Sequence, residues 1–285
     1  MQENWEDAAW LEDRDIIERT FRETFGRDLD LGNPQTFNEK IAYKMLFDRR
    51  PLLTRVADKA QARDCVAQRI GAGYLTQLYQ LCRSPQEIDW QALPRSFVVK
   101  ANHGSGMNAI VANKSEVDRA RLAGALQHWL GINYYYSCRR EWCYRDIVPS
   151  LLVEEFLTDV DGRAPMDYKF YVFDGRPAYL QLDFDRFAEH RRNLYDRALR
   201  RLNARLRYPS SDERFDFPAN VEEMFALASR LGEGFDFVRV DLYNVRGRIV
   251  FGELTHYPEE GRGVFDPPEY DGIFGAQWQI PERYQ

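Results

Sequence analysis

Little in this sequence suits a covalent staple, a membrane span or a nucleic-acid partner. Its four cysteines, Cys65, Cys82, Cys138 and Cys143, form no C-x-x-C pair and no Cys/His cluster of zinc spacing, which reads as reduced thiols in a cytoplasmic protein. No run of about 18 apolar residues occurs, so nothing reads as a transmembrane segment. The opening residues, Met1 to Asp7, are acidic where a secretory signal needs a basic start and an apolar run. Lys and Arg number 39 against 45 Asp and Glu, a net charge of -6, so no basic field recommends nucleic acid. Internal repeats and low-complexity tracts are absent. What is there is a chain of 285 residues, 44% of them hydrophobic, enough for one large domain or two lobes around a core.

The most informative stretch is Val238 to Tyr257. Val238, Val240 and Leu242 alternate with Arg239, Asp241 and Tyr243, the period of a strand with two unlike faces. A turn at Asn244 to Arg248 leads into a second strand, Ile249 to Thr255. A hairpin closing about Gly247 sets Asp241 opposite Glu253. Opposed side chains lie about 4.5–5.5 Å apart at Cβ, and like charges there destabilise a sheet. A cation between them is required. Mg²⁺ is the natural one, since it takes one or two carboxylates and completes its shell with water and substrate phosphates. A nucleotide triphosphate is therefore the ligand to look for.

Ahead of that hairpin, Ile17, Phe21 and Phe25 mark a helix stopped by Gly26, and Thr36 with Glu39 makes a capping box for a second. Asp58 caps a third, ended by Gly71, with Lys59 in its first turn, where it suits either solvent or an anion. Ser84 to Glu87 is a further capping box, with Pro85 at the first helical position. Phe97 to Val111 reads as a hairpin with a glycine-rich tip, His103-Gly104-Ser105-Gly106. With Lys100 at the strand end, such a tip can bring backbone N–H groups to phosphate oxygens. The same G-x-G equally suits an ordinary turn, and it lacks the P-loop pattern.

Ser115 with Asp118 starts a helix with a core stripe. Tyr134 to Tyr136 and Arg139 to Arg145 mix aromatics with cations, which fits a sugar, an anion or ordinary packing between lobes. Leu151 to Leu157 is an apolar strand that meets Glu154 and Glu155. Asp167 to Phe173 is a strand closed by Asp174-Gly175, and a two-residue loop there sets Lys169 opposite Leu180. Arg197 to Arg207 reads as a solvated helix. Asn220 with Glu223 caps a helix that leads back to the central hairpin. The tail from Pro258, rich in Pro and Gly, reads as irregular chain able to fold over the site.

In order, these signals resemble the ATP-grasp superfamily, and within it the TupA-like family associated with bacterial surface-polysaccharide gene sets. The likeness is carried by Phe37-Asn38-Glu39-Lys40, Ala57-Asp58-Lys59, Lys100 to Gly106, Glu141-Trp142, Asp167-Tyr168-Lys169-Phe170 and Gly252-Glu253-Leu254-Thr255, and it runs from about residue 34 to 258. It implies an α+β fold whose two lobes, each with an antiparallel sheet, clamp ATP. A short helical N-terminal segment, 1–57, would stand in place of a Rossmann-like domain, with lobe 1 at 58–153 and lobe 2 at 154–285. It implies Lys59, Lys100, His103, Gly104, Ser105 and Gly106 at the ATP phosphates, Glu154, Glu155, Phe156 and Leu157 as the adenine hinge, and Asp161 at the ribose.

The same likeness implies Lys169, Arg186 and Arg192 as catalytic cations that hold a carboxylate and its acyl phosphate. Arg140, Trp142 and Asn193 would bind substrate, and Asp241, Glu253 and Thr255 would surround Mg²⁺. Thr255 stands where many ATP-grasp enzymes have Asn. The implied activity is ADP-forming ligation of a carboxylate, such as a uronic acid of a surface polysaccharide or its precursor, to an amine such as an amino acid. It also implies peripheral association with membrane-linked glycan machinery. Two rival readings are a glycosyltransferase using Asp183-Phe184-Asp185 as a metal motif, and a non-catalytic nucleotide- or glycan-binding protein.

Overall fold

The structure is a computed structural model that describes residues 8–159, 165–184, 189–282 and 284. Helix α1 (Ala8–Phe25) stops at Gly26, which takes φ +67°. Helix α2 (Phe37–Phe47) starts on Thr36 with both arms of its capping box made. Helix α3 (Pro51–Ala57) hands over at Asp58 to α4 (Lys59–Arg69), and the Asp58 carboxylate accepts from the amides of Ala60 and Gln61. Then come β1 (Leu78–Cys82), β2 (Phe97–Ala101), β3 (Asn108–Val111), α5 (Arg119–Leu130), α6 (Tyr134–Ser137) and β4 (Leu151–Glu154). The second half holds β5 (Asp167–Phe173), β6 (Arg176–Phe184), β7 (Arg191–Asp196), β8 (Arg205–Leu206), α7 (Val221–Gly232), β9 (Phe237–Val245), β10 (Arg248–Thr255), β11 (Phe265–Asp266) and α8 (Glu269–Ala276).

Two antiparallel sheets organise the chain: four strands in the order β1-β4-β2-β3, and five in the order β10-β9-β5-β6-β7. The smaller sheet closes its own core with α5, through Phe97, Val99, Leu122, Leu126, Leu151 and Val153. The larger sheet uses both faces, as the period of two allows. Phe170 and Val172 point at α7, where Phe170 meets Phe225 and Gly232 passes so close that a Cβ would lie 2.4 Å from Val172. On the opposite face, Tyr171, Phe173 and Phe237 pack with Phe37 of α2 and with Phe274 and Trp278 of the tail. Burial of each such ring stabilises the fold by about 1.5–3 kcal/mol. The rest of that face carries charge.

Two bulges set which residues share the charged face. The β9–β10 hairpin closes on Arg246-Gly247, both at positive φ (55° and 86°), so Val245 pairs Arg248 and the turn is shorter than Asn244 to Arg248. Uninterrupted, that turn would put Asp241 opposite Gly252. Gly252 is instead the extra residue of a bulge, which restores Asp241 opposite Glu253. Only glycine fits there, since a Cβ would lie 2.9 Å from the Asp241 carbonyl oxygen. The expected pairing of Lys169 with Leu180 is overturned by a second shift: Val172 pairs Pro177 but Tyr171 pairs Tyr179, so Lys169 faces Gln181.

Several local expectations are also corrected. Asp118 alone caps α5, accepting from the Arg121 amide. Pro85–Glu87 is a single 3₁₀ turn without a side-chain cap. Asn220 makes no cap; its amide donates to the Gly247 carbonyl and accepts from Asn244, tying α7 to the hairpin turn. Arg197 to Arg207 is a turn followed by β8, where Asp196 accepts from the Arg200 amide and side chain. The described part of the tail carries regular structure: Pro258–Gly261 forms a turn with Glu259 and Glu260 at positive φ, and α8 with the residues just after it packs on α2 through Asn38 to Asp271 and Lys40 to the Gly275 and Trp278 carbonyls.

Candidate functional site

Between the two sheets lies a cleft enclosing about 520 Å³ of space open to solvent. Helix α4 contributes Lys59 and Arg63, the smaller sheet Lys100 and Glu154, and β10 Phe251 to Leu254. Lys59 stands in the first turn of α4 because Asp58 caps it, and the Lys59 amide donates to the Asn102 carbonyl at 3.1 Å. Its ammonium donates to the Gly104 carbonyl at 2.5 Å. Burial, with Lys100 nearby, pushes its pKa down while Glu253 pulls it up. Lys100 pairs Glu154 at 3.0 Å, and Arg63 reaches the same carboxylate at 2.7 Å.

The glycine-rich tip is braced from below. Asn102 donates to Asp58 at 2.9 Å and accepts from the Ser150 amide at 2.7 Å, which fixes the loop to α4 and β4. Gly104 passes over Tyr134 so closely that a Cβ would lie 2.6 Å from the ring. Gly106 takes φ +75°, and Ser105 and Gly106 are exposed. His103 turns inward: its ring nitrogens lie 3.1 Å from Asn102 Oδ1 and 3.1 Å from the Trp129 carbonyl, so what it offers the loop is support. Past Glu154, Glu155 forms a two-pronged pair with Arg248 at 2.9 and 3.1 Å that links the sheets. Phe156 and Leu157 are half-buried on the connecting chain.

The charged face of the larger sheet meets the cleft at β10. Lys169 lies between Asp241 at 2.5 Å and Asp167 at 3.1 Å. Between Asp241 and Glu253 lies the guanidinium of Arg239, which sequence reasoning assigned no role. Its Nε and Nη2 donate to Asp241 at 2.7 and 2.8 Å, and Nη2 also reaches Glu253 and Thr255 at 3.2 Å each. The cation demanded by the opposed carboxylates is thus supplied within the chain. A signal was present, since Arg239 and Asp241 are two apart on one strand and share a face. Burial raises the Asp241 pKa against the pull of Arg239 and Lys169. Glu253 is more open, on the cleft wall; partial desolvation pushes its pKa up, but Arg239, Lys169 and Lys59 outweigh it and hold it at about 2.

Farther along this face, Arg192 of β7 pairs Asp183 at 2.6 Å and Glu259 at 2.6 Å. Asn193, its neighbour, points to the other face and is tied to the Ser211 backbone. Arg140 pairs Glu12 at 2.5 Å on α1, and Trp142 lies under the Arg49 guanidinium at 3.7 Å, so both sit at the α1 and α3 junction, away from the cleft lining. Asp161, Asp185 and Arg186 lie outside the described residues. Glu141, also without an assigned role, is buried beside Cys138, and burial together with Glu260 pushes its pKa up to about 8.

A cleft between two antiparallel sheets, with lysines from one wall and carboxylates from the other, defines a protein of the ATP-grasp class. The sequence pattern of the TupA-like ATPgrasp family matches residues 39–279, and the chain belongs to that family. Solved structures with a similar outline include the ADP complex of N5-carboxyaminoimidazole ribonucleotide synthetase, purK, at 12% identity and TM-score 0.45, covering 72% of this chain and 46% of that one. D-alanine–D-alanine ligase from Bacillus anthracis aligns at 16% identity and TM-score 0.41, covering 72% and 59%. The ATP-grasp ligase PsnB with its minimal precursor, Mg and ADP aligns at 15% and 0.42, covering 84% and 66%. The chain thus spans about half the length of the first two. No curated protein matches the sequence. Among the described residues no helix is long and apolar enough to cross a membrane.

Proposed function

We propose that this protein is an ATP-dependent, ADP-forming ligase that joins a carboxylate to an amine through an acyl phosphate. The observation that carries the reading is the cleft itself. Lys59 and Lys100 face Glu253 across the gap between two sheets, with a glycine-rich tip at its edge. Such a site positions and neutralises a triphosphate and needs no protein nucleophile. On this reading Glu154 to Leu157 lie along the adenine and ribose, Lys169 and Arg239 face the transferred phosphoryl group, and Arg192 faces the substrate.

The donor set fits Mg²⁺ held jointly with phosphates. Among the described residues no three His, Cys, Asp or Glu side chains are grouped to hold a metal alone. Glu253, 39% exposed, offers a carboxylate to the cleft, while both Asp241 oxygens are taken by Lys169 and Arg239. Glu253 would hold the ion, with Asp241 and Thr255 behind it, and the ion would supply neutralisation of phosphate charge.

The family's gene sets make a uronic acid of a surface polysaccharide, or its precursor, the candidate carboxylate and an amino acid the candidate amine. A coupled ADP-release screen over uronic acids and amino acids, followed by the mass of the product, tests the reading. Amide product with stoichiometric ADP supports it; UDP release from a UDP-sugar without ADP overturns it. Lys100→Met is expected to lower turnover by about 10²–10³-fold, the scale of one lost preorganised donor.

A further inference from the structure

Tyr144 lines the cleft together with Lys59 and Glu253. It ends the single 3₁₀ turn Trp142–Tyr144, which is fastened on the side away from the cleft. The Trp142 ring carries two guanidiniums, Arg49 at 3.7 Å and Arg145 at 4.6 Å from its centre. Arg49 is itself tied to Asp13 of α1 at 3.3 Å, and Cys143 is buried. Held by these neighbours, the turn presents Tyr144 to the cleft wall.

On the cleft side Tyr144 meets Tyr134 edge to face, with ring centres 5.0 Å apart and planes at 76°. Tyr134 is the ring over which Gly104 passes with no room for a Cβ, and the Gly104 carbonyl receives the Lys59 ammonium. One packed line therefore runs from Tyr144 through Tyr134 and Gly104 to Lys59. The ring of Tyr144 is used up in packing, but its hydroxyl is not. Among the described residues nothing donates to that hydroxyl or accepts from it, and it is not one of the polar atoms sealed from solvent, as the Tyr257 hydroxyl is. Burial, with Cys143, Glu141 and Glu253 adding negative charge, pushes its pKa well above the ordinary 10. The phenol thus keeps its proton throughout the neutral range and stands as a neutral donor. The influence of Glu253 sets it at the end of the cleft where the candidate metal carboxylate lies.

We propose that the Tyr144 hydroxyl donates a hydrogen bond to the terminal phosphates of the nucleotide. This role rests on the ligase reading and deepens it. Lys59 and Lys100 supply charge, which acts in every direction; a hydroxyl on a packed ring supplies a fixed direction and adds no charge. A donor to an ionised oxygen is also stronger than one to a neutral oxygen. Because the same ring supports Tyr134, a phosphate held by Tyr144 is registered against the glycine-rich tip.

The test uses the full chain, with MgATP and MgADP affinities read by calorimetry and the melting temperature of the free protein read in parallel. Tyr144→Phe keeps the ring against Tyr134 and loses only the hydroxyl. It is expected to bind both nucleotides about tenfold or more weakly, the scale of one lost hydrogen bond to a charged group, with its melting temperature unchanged. Tyr144→Leu, which loses the ring as well, is expected to bind at least as weakly and to melt lower. Parent-like affinity in Tyr144→Phe overturns the proposal, and so does a loss of affinity matched by a fall in its melting temperature, since the hydroxyl would then serve the fold. Weak binding by Tyr144→Leu beside parent-like binding by Tyr144→Phe assigns the residue to packing and overturns it too. If the parent binds no MgATP, the ligase reading falls and this role with it; if the parent binds and Tyr144→Phe binds equally, this role falls alone.

Discussion

Replacing Glu141 by glutamine is expected to make the protein more stable near neutral pH and to change little in mild acid. Glu141 is 6% exposed, and burial, with Glu260 and Glu253 adding negative charge, pushes its pKa from the ordinary 4.5 to about 8. The folded state therefore keeps the carboxyl protonated where the unfolded chain has released the proton. A folded pKa raised above the unfolded one contributes stability fully present below 4.5 and lost as pH rises through about 8. At about pH 7.5 three units of that window have been crossed, at about 1.4 kcal/mol each, so the loss approaches ~4 kcal/mol. Glutamine matches the neutral acid in shape and has no proton to lose. The variant should thus gain up to about 4 kcal/mol near pH 7.5 and close to nothing near pH 5. At about 2–4 °C per kcal/mol, Tm rises by roughly 8–16 °C at the higher pH. Urea denaturation of both proteins at the two pH values measures it. A variant no more stable near pH 7.5, or one that gains equally at both, refutes the reasoning.

Three further outcomes follow from the same geometry. Arg239→Met leaves the buried Asp241 with Lys169 alone and should destabilise by about 3–5 kcal/mol, while Arg239→Met/Asp241→Leu recovers much of it; thermal melts that show a smaller loss for the single than for the double variant contradict this. Gly252→Ala puts a Cβ 2.9 Å from a carbonyl oxygen, so it should weaken MgATP binding through the Glu253 register by about tenfold or more, read by calorimetry; an unchanged Kd counts against the bulge. His256 is buried with both ring nitrogens unpartnered, and burial beside Lys44 holds its pKa down to about 3. The unfolded chain then takes the proton first, so stability falls as pH drops below about 6.5. His256→Phe should remove that slope in an acid titration monitored by circular dichroism, and an unaltered slope refutes the assignment.

Much of this was legible from local chemistry. Thr36 with Glu39, Asp58 and the β2–β3 tip are statements about a few adjacent residues, and they fold as the side chains dictate. The opposed carboxylates were readable too, although the turn that was expected to oppose them is a residue shorter. Gly252 makes up the difference, and an isolated glycine inside a strand pattern is a bulge signal. Pro177, which has no amide to donate, sits beside the second bulge in the same way and moves Lys169 from Leu180 to Gln181. What sequence reasoning could not reach is pairing over long separations. Arg207 reads as one basic residue among many until Glu259 arrives 52 positions later. Arg239 was hidden for a different reason: an ion pair between residues two apart looks like surface alternation unless the face is known to be buried.

The contact between α2 and α8 bears on how the chain is made. Phe37 finishes against Phe274 and Trp278, and Asn38 against Asp271, partners 233 residues apart. On a ribosome adding about 5–20 residues per second, α2 waits roughly 10–50 s for α8 to emerge. Through that interval Phe37, Ile41 and Met45 have no native cover from the tail. The smaller sheet with α5, whose contacts are nearer in sequence, can complete its core in the meantime. A nascent chain halted before α8 is therefore expected to expose the apolar side of α2 to chaperones, and truncation of the tail to loosen the opposite end of the sequence.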